Sequence, residues 1–293
     1  MEKIKLMIDS SGDIELSTAK ELDIDLIPLN IIIDGKTYRE EYDITKEEFW
    51  KILSESEEIP KTSQVSPETF RKYYTKAKDD GYTHVIVLTI NAAGSGTFNS
   101  ANLAKTLFEE ENPDCKMSIE ILDSRSYTMC YGKPVIDAAK MIADGKSYEE
   151  ILSFLKYKIS HMWAYAYMST LKFAKKSGRI SLLSAVVGEA LKLKPLIVVG
   201  NRKVDVIGKL RGDKAAIAKI IDCVKEKAVD VENQELVLIA GSIPEAFKEK
   251  LEKDVMEKLN PKSIFWAKLG CAIANNAGPE TVGIIFEGEE YKD

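Results

Sequence analysis

The chain predicts an α/β fold. An amino-terminal, mainly parallel sheet with helices on both faces is followed by an α+β domain with a mixed or antiparallel sheet. Three observations carry this. Short apolar, β-branched runs alternate with helical patterns through the first half. The run Val85-Ile86-Val87-Leu88-Thr89-Ile90 breaks into a small-residue loop, and a helical pattern follows, which reads as buried strand, tight loop and helix amino terminus. After about His161 the pattern changes to strand pairs with short turns interleaved with helices.

Taken in order, residues 4–8 form a first strand that ends at Asp9-Ser10-Ser11-Gly12-Asp13. Residues 26–33 and 36–39 flank Asp34-Gly35, a two-residue hairpin signal. Ser66-Pro67-Glu68 opens a helix as N-cap, N1 and N2, and Gly81 closes it. Strand 85–90, helix 97–111, strand 119–122 and a helix over 127–143 continue the alternation. Ser147-Tyr148-Glu149-Glu150 is a capping box for the next helix. Beyond it, 164–169 reads as a strand and 171–176 as a short helical segment. Residues 195–199 and 204–207 pair across Gly200-Asn201-Arg202; helices 213–228 and 244–259 then alternate with strands 236–240, 263–267 and 282–286. The domains are placed at 1–160 and 161–293, with no proline- or serine-rich linker between them.

Composition bounds the chemistry. The 293 residues are 45% hydrophobic and 30% charged, enough for a sizeable core, and the formal net charge of −6 argues against a nucleic-acid surface. No apolar run reaches the ~18 residues that span a bilayer. Met1-Glu2-Lys3-Ile4-Lys5 leads straight into a strand without a signal-peptide layout, so a cytoplasmic location is expected. Cys115, Cys130, Cys223 and Cys271 are far apart and have no histidines nearby, so they predict reduced thiols rather than a metal or redox site.

The loop Asn91-Ala92-Ala93-Gly94-Ser95-Gly96-Thr97 suits an anion. A helix amino terminus carries unpaired N–H groups and partial positive charge, Ser95 and Thr97 add hydroxyls, and glycines let a ligand approach the backbone. In a parallel sheet Asp9–Ser11, Asn91–Thr97 and Asp123-Ser124 all follow strand ends and fall on one edge, where such sheets bind ligands. Bond-breaking chemistry is poorly supported. Ala93-Gly94-Ser95-Gly96-Thr97 lacks the first glycine of a nucleophile elbow, and of the two histidines, His84 precedes its strand, at the end opposite Ser95. Asn99 replaces the third glycine of a dinucleotide fingerprint, and no phosphate-binding P-loop is present. Asp9, Asp13, Asp43 and Asp123 serve equally well as magnesium ligands or as solvated caps and turns.

Several ordered phrases carry a more specific signal. They are Asp9-Ser10-Ser11-Gly12-Asp13, Lys61-Thr62-Ser63-Gln64-Val65-Ser66-Pro67, Ser95-Gly96-Thr97-Phe98-Asn99-Ser100-Ala101, Asp123-Ser124, Leu171 to Ile180, Lys194-Pro195, Gly208-Lys209-Leu210-Arg211-Gly212 and Gly278-Pro279. In this order, across residues 4 to 286, the chain resembles the DegV family of bacterial fatty-acid-binding proteins. The resemblance implies a two-domain carrier with a long-chain fatty acid (about C14–C18) buried between or alongside the domains, the second domain contributing the acyl pocket. It implies that hydroxyls at Thr62 and Ser95 hold the carboxylate. Ser63, Gly96 and Thr97 lie beside them, and Arg179, Asn276 and Gly278 are further ligand-side candidates. It implies no cofactor, no metal and no catalysis by this chain, but a separate fatty-acid kinase that phosphorylates the acyl group. Lys209 and Arg211, between a strand and a helix, read either as a docking pair for such a partner or as a plain solvated loop. Family members usually carry Thr-His-x-Gly-Pro-Gly near the end; here Asn275-Asn276-Ala277-Gly278-Pro279-Glu280 puts Asn276 in the histidine's place.

The acyl wall is sought in 163–168, in 180–187 and at Phe98, Phe173 and Phe265, all of which plain core packing would also explain. The competing reading is an enzyme or binding protein for a small phosphorylated or hydroxylated metabolite, on a scaffold like the substrate domain of dihydroxyacetone kinase. A dinucleotide-dependent oxidoreductase stands third.

Overall fold

A computed structural model of the chain describes residues 2–177, 183–184 and 193–291. It divides into two compact units, Met1–Asp43 with Thr62–Ile159, and Ile44–Lys61 with Ser160–Asp293.

The first unit is built on four parallel strands in the order β2-β1-β6-β7: β1 (Ile4–Asp9), β2 (Ile24–Ile27), β6 (His84–Thr89) and β7 (Ser118–Asp123). Successive residues of a strand face opposite sides, and every residue of β1 and all but the first of β6 are buried. Both faces of the sheet are therefore covered, as the unbroken apolar runs of these strands require. Helices α3 (Pro67–Asp79), α4 (Thr97–Glu111), α5 (Met129–Ala143) and α6 (Tyr148–His161) lie close to their expected bounds, and α3 and α6 carry the predicted caps. Ser66 accepts from Thr69 N at 3.1 Å, and Ser147 and Glu150 form the reciprocal cap.

The second unit carries a seven-stranded mixed sheet ordered β13-β12-β14-β8-β10-β11-β9. Its strands are β8 (Met162–Tyr167), β9 (Leu183–Ser184), β10 (Leu193–Gly200), β11 (Lys203–Arg211), β12 (Glu235–Ala240), β13 (Ser263–Lys268) and β14 (Val282–Glu287). Helices α8 (Asp213–Lys227) and α9 (Glu245–Leu259) bury Ile217, Ile220, Leu251 and Val255 in one core with Leu236, Leu238, Ile284 and Phe286.

Three expectations need correction. Residues 26–33 are not one strand. β2 stops at Ile27 and β3 (Asn30–Ile33) belongs to a separate sheet, ordered β4-β3-β5, with β4 (Lys36–Arg39) and β5 (Lys61–Ser63). Pro28 has no N–H to continue the ladder, and the Leu29 N–H goes to Ser10 Oγ at 2.9 Å. The hairpin turn stands, with Asp34 and Gly35 both at positive φ.

Residues 44–61 pack with the second unit rather than with the sequence that surrounds them. Their helix α2 (Lys46–Glu55) is opened by a Thr45–Glu48 capping box, buries Phe49, Trp50 and Leu53, and ties down through Trp50 Nε1 to Leu269 O at 3.0 Å and Lys268 to Glu47 at 2.7 Å.

The third correction concerns β11, which runs through 208–211 instead of stopping near 207. An irregularity between Leu196 and Ile197 restores its pairing with β10 past Gly208. Lys209 and Arg211 therefore lie in the strand, opposite Pro195 and Leu193, and the Arg211 side chain is exposed.

Candidate functional site

Parallel strands point their carboxyl ends the same way, so Asp9, Thr89 and Asp123 bring three loops to one edge of the first sheet. Backbone donors tie the loops together. Asp9, fully buried, accepts from Ile90 N at 2.6 Å, Ser11 N at 3.1 Å and the Tyr131 hydroxyl at 2.7 Å. Asp123 accepts from Ala92 N and Arg125 N, each at 3.0 Å. Burial, the largest influence, raises the Asp9 carboxyl to about 6 in spite of these donors. Asp13 accepts from Thr128 Oγ1 at 2.5 Å, and Asp43 pairs with Arg39. These aspartates serve as caps and turns. Among the described residues no group of three or more His, Cys, Asp or Glu is placed to hold a metal ion.

Asn91 shapes the loop after β6. It is fully buried, its Oδ1 accepts from Ala93 N at 3.0 Å, and its carbonyl accepts from Gly94 N at 2.9 Å and Ser95 N at 3.1 Å. Its Nδ2 donates to the Tyr127 hydroxyl at 3.1 Å. Sequence reading passed over Asn91; its position directly after a buried strand, with an Asx-turn side chain, was the available signal.

This scaffold presents Ser95 half-buried ahead of α4. Ser95 Oγ lies 2.9 Å from Thr97 Oγ1 and accepts from Thr97 N at 3.3 Å. The Thr97 N–H, expected to meet an anion, is thus turned to Ser95. If buried Thr97 donates its hydroxyl to Ser95, the Ser95 proton is left for an incoming acceptor.

Thr62 and Ser63 are half-buried on β5, and their hydroxyls make no hydrogen bond among the described residues. The next residue, Gln64, reaches α4, donating Nε2 to Ser100 Oγ at 3.0 Å, and its amide covers Gly96. The structure therefore brings the Thr62-Ser63-Gln64 stretch and the Ser95-Gly96-Thr97 loop together.

Arg179 lies outside the described residues, as do 180–182 and 185–187 of the proposed acyl wall. Asn276 and Gly278 belong to the second unit. Asn276 sits in helix α10 (Cys271–Ala277) and donates Nδ2 to Ala272 O at 2.7 Å, inside its own helix. Gly278, at φ 93°, lies against Phe173, whose Cδ2 would be 2.7 Å from any added Cβ. Tyr165 stacks on Phe286 at 5.7 Å and Trp163 meets Tyr291 edge-on at 4.7 Å, both partly buried against the core of the second unit. His84 bonds Thr83 at 2.8 Å, and His161 bonds Ser160 at 2.9 Å.

A family model described as an uncharacterised protein of the DegV family matches residues 3–289. The chain belongs to the DegV family. This DegV-family protein is 34% identical over 287 residues to a DegV domain-containing protein of Caldanaerobacter subterraneus, with 98% of this chain and 99% of the relative covered. It is 30% identical over 294 residues to a fatty acid-binding protein of Thermotoga maritima, with 99% of each covered. A solved structure of a DegV family protein from Thermus thermophilus, described as fatty acid binding, superposes with a TM-score of 0.86 at 28% identity, covering 98% of this chain and all of that one. Among the described residues, no helix is long and apolar enough to cross a membrane.

Proposed function

We propose that this chain is a cytoplasmic, non-catalytic carrier of a long-chain fatty acid. The observation that carries the reading is the pairing of two hydroxyl-bearing stretches, Thr62-Ser63 and Ser95-Gly96-Thr97, joined through Gln64 at the carboxyl edge of the parallel sheet. A carboxylate out of water needs donors, and here half-buried hydroxyls are available. Binding energy would come from the acyl chain in an apolar tunnel, at about 0.8 kcal/mol per buried methylene, or on the order of 10 kcal/mol for about C14–C18. The fatty-acid binding ascribed to the Thermotoga and Thermus relatives supports the same class of ligand.

Arg179 is proposed to balance the carboxylate's charge, with Asn276 and Gly278 flanking it. The carrier would present its ligand to a separate fatty-acid kinase, docking through Lys209 and Arg211. Neither step needs a cofactor.

Mass spectrometry of an organic extract of the purified protein tests the carrier reading. A stoichiometric C14–C18 fatty acid is the expected result. An empty extract, with no thermal stabilisation by palmitate or oleate, would overturn it and bring the small-metabolite reading forward. Docking is tested separately. Lys209→Glu and Arg211→Glu should leave fatty-acid binding intact and abolish acyl phosphorylation by an added kinase.

A further inference from the structure

Gln64 occupies an unusual position. It follows the β5 hydroxyls directly, yet its side chain is committed to another element. Nε2 donates to Ser100 Oγ, on the first turn of α4, at 3.0 Å, and Ser100 is 4% exposed. The same amide lies over Gly96, the N-cap of α4, so closely that a methyl group there would collide with its oxygen and carbon. Gly96 has φ −75°, so backbone conformation does not demand glycine. What an added methyl group would meet there is the Gln64 amide, the end of a flexible side chain that it would displace.

We propose that Gln64 is a positioning residue for the head group. Its amide, seated over Gly96 and bonded to Ser100, latches the end of β5 to the start of α4 and so sets the separation between the Thr62 and Ser95 hydroxyls. The inference rests on the carrier reading and adds to it the device that tunes the site for a carboxylate. Two hydroxyls on separate elements can serve the two oxygens of one carboxylate only if their spacing is held, and neither β5 nor the Ser95 loop holds it alone. The latch also explains the pairing of residue types. Glycine at 96 makes room, glutamine at 64 has the reach, and serine at 100 supplies the acceptor. Gln64 is itself exposed, so its removal should leave the fold intact.

The test compares palmitate with hexadecanol, which has the same chain without a carboxylate, on wild type, Gln64→Ala, Gly96→Ala and the double variant, alongside thermal midpoints. Each single variant should lose about five- to tenfold in palmitate affinity, the scale of one hydrogen bond. Hexadecanol affinity and the thermal midpoint of Gln64→Ala should not move. The double variant should be no weaker than either single one, because both act on one contact. Unchanged palmitate affinity in Gln64→Ala, a parallel loss for hexadecanol, or losses that multiply would each overturn the latch. If Gly96→Ala does not fold, Gln64→Met replaces it: this side chain fills the space without the amide, and it should lose as much palmitate affinity as Gln64→Ala. A wild-type protein that binds palmitate while Gln64→Ala binds it equally well sinks the latch alone; a wild type that binds no fatty acid sinks the carrier reading and the latch together.

Discussion

Ser95 and Thr97 share one hydrogen bond, and its direction decides what the loop can do. With Thr97 donating, Ser95 accepts from both the hydroxyl and the N–H of Thr97 and keeps its own proton for a ligand. Ser95→Ala should therefore weaken fatty-acid binding by about 1–3 kcal/mol, as should Thr62→Ala, because each leaves a buried carboxylate short of a donor. Calorimetric titration with palmitate checks both, and unchanged affinity in both would put the head group elsewhere.

Asn276 behaves differently, since one of its two amide N–H groups is bonded to Ala272 O within its own helix. Restoring the family's residue with Asn276→His should tighten palmitate binding, measured in the same titration; no gain would mean that this helix does not face the head group. Asp9 makes a pH prediction. Its carboxyl is raised by burial from 3.8 to about 6, so the folded chain holds the proton through a window in which the unfolded chain has lost it. Stability is lost as pH rises from ~4 to ~6 and levels off above, by about 3 kcal/mol for this group. Urea midpoints across that range should show the slope in wild type and not in Asp9→Asn.

At the scale of elements, most of the first unit was legible because its signals are local. Ser66-Pro67, Ser147 to Glu150 and Asp34-Gly35 each act on neighbouring backbone, and each element lies where its cap or turn puts it. Helix α2 had a comparable signal in Thr45 and Glu48 that went unread. The seating of α5 against the turn after β1 was not legible. There Gly132 meets the backbone of Gly12 so closely that an added Cβ would strike its carbonyl oxygen. Gly132→Ala should cost about 1–3 kcal/mol by overpacking, read as a lowered thermal midpoint. A midpoint equal to wild type would mean that α5 can slide along β1.

At the scale of the whole chain, the second unit depends on a segment borrowed from the first half. Phe49, Trp50 and Leu53 are buried there, each contributing about 1.5–3 kcal/mol if fully removed from water. A fragment of residues 160–293 should therefore fold poorly alone and gain a cooperative thermal transition when residues 44–61 are fused to it. Circular dichroism melts of the two fragments check this, and equal melts would show that α2 is dispensable.

The sequence by itself determined the class of fold, the central strands and long helices of both units, the loop that offers hydroxyls to an anion and, through its ordered phrases, the family. These follow from hydrophobic period, caps and turns, which act over a few residues. Only the tertiary structure decided that 44–61 leave their neighbours, that Pro28 sends β3 to another sheet, that one Asn276 N–H bonds within its own helix, and that Gln64 closes over Gly96. Each depends on contacts between residues whose separation along the chain carries no record of their distance in space, or on how one side chain divides its few hydrogen bonds among partners that the fold supplies.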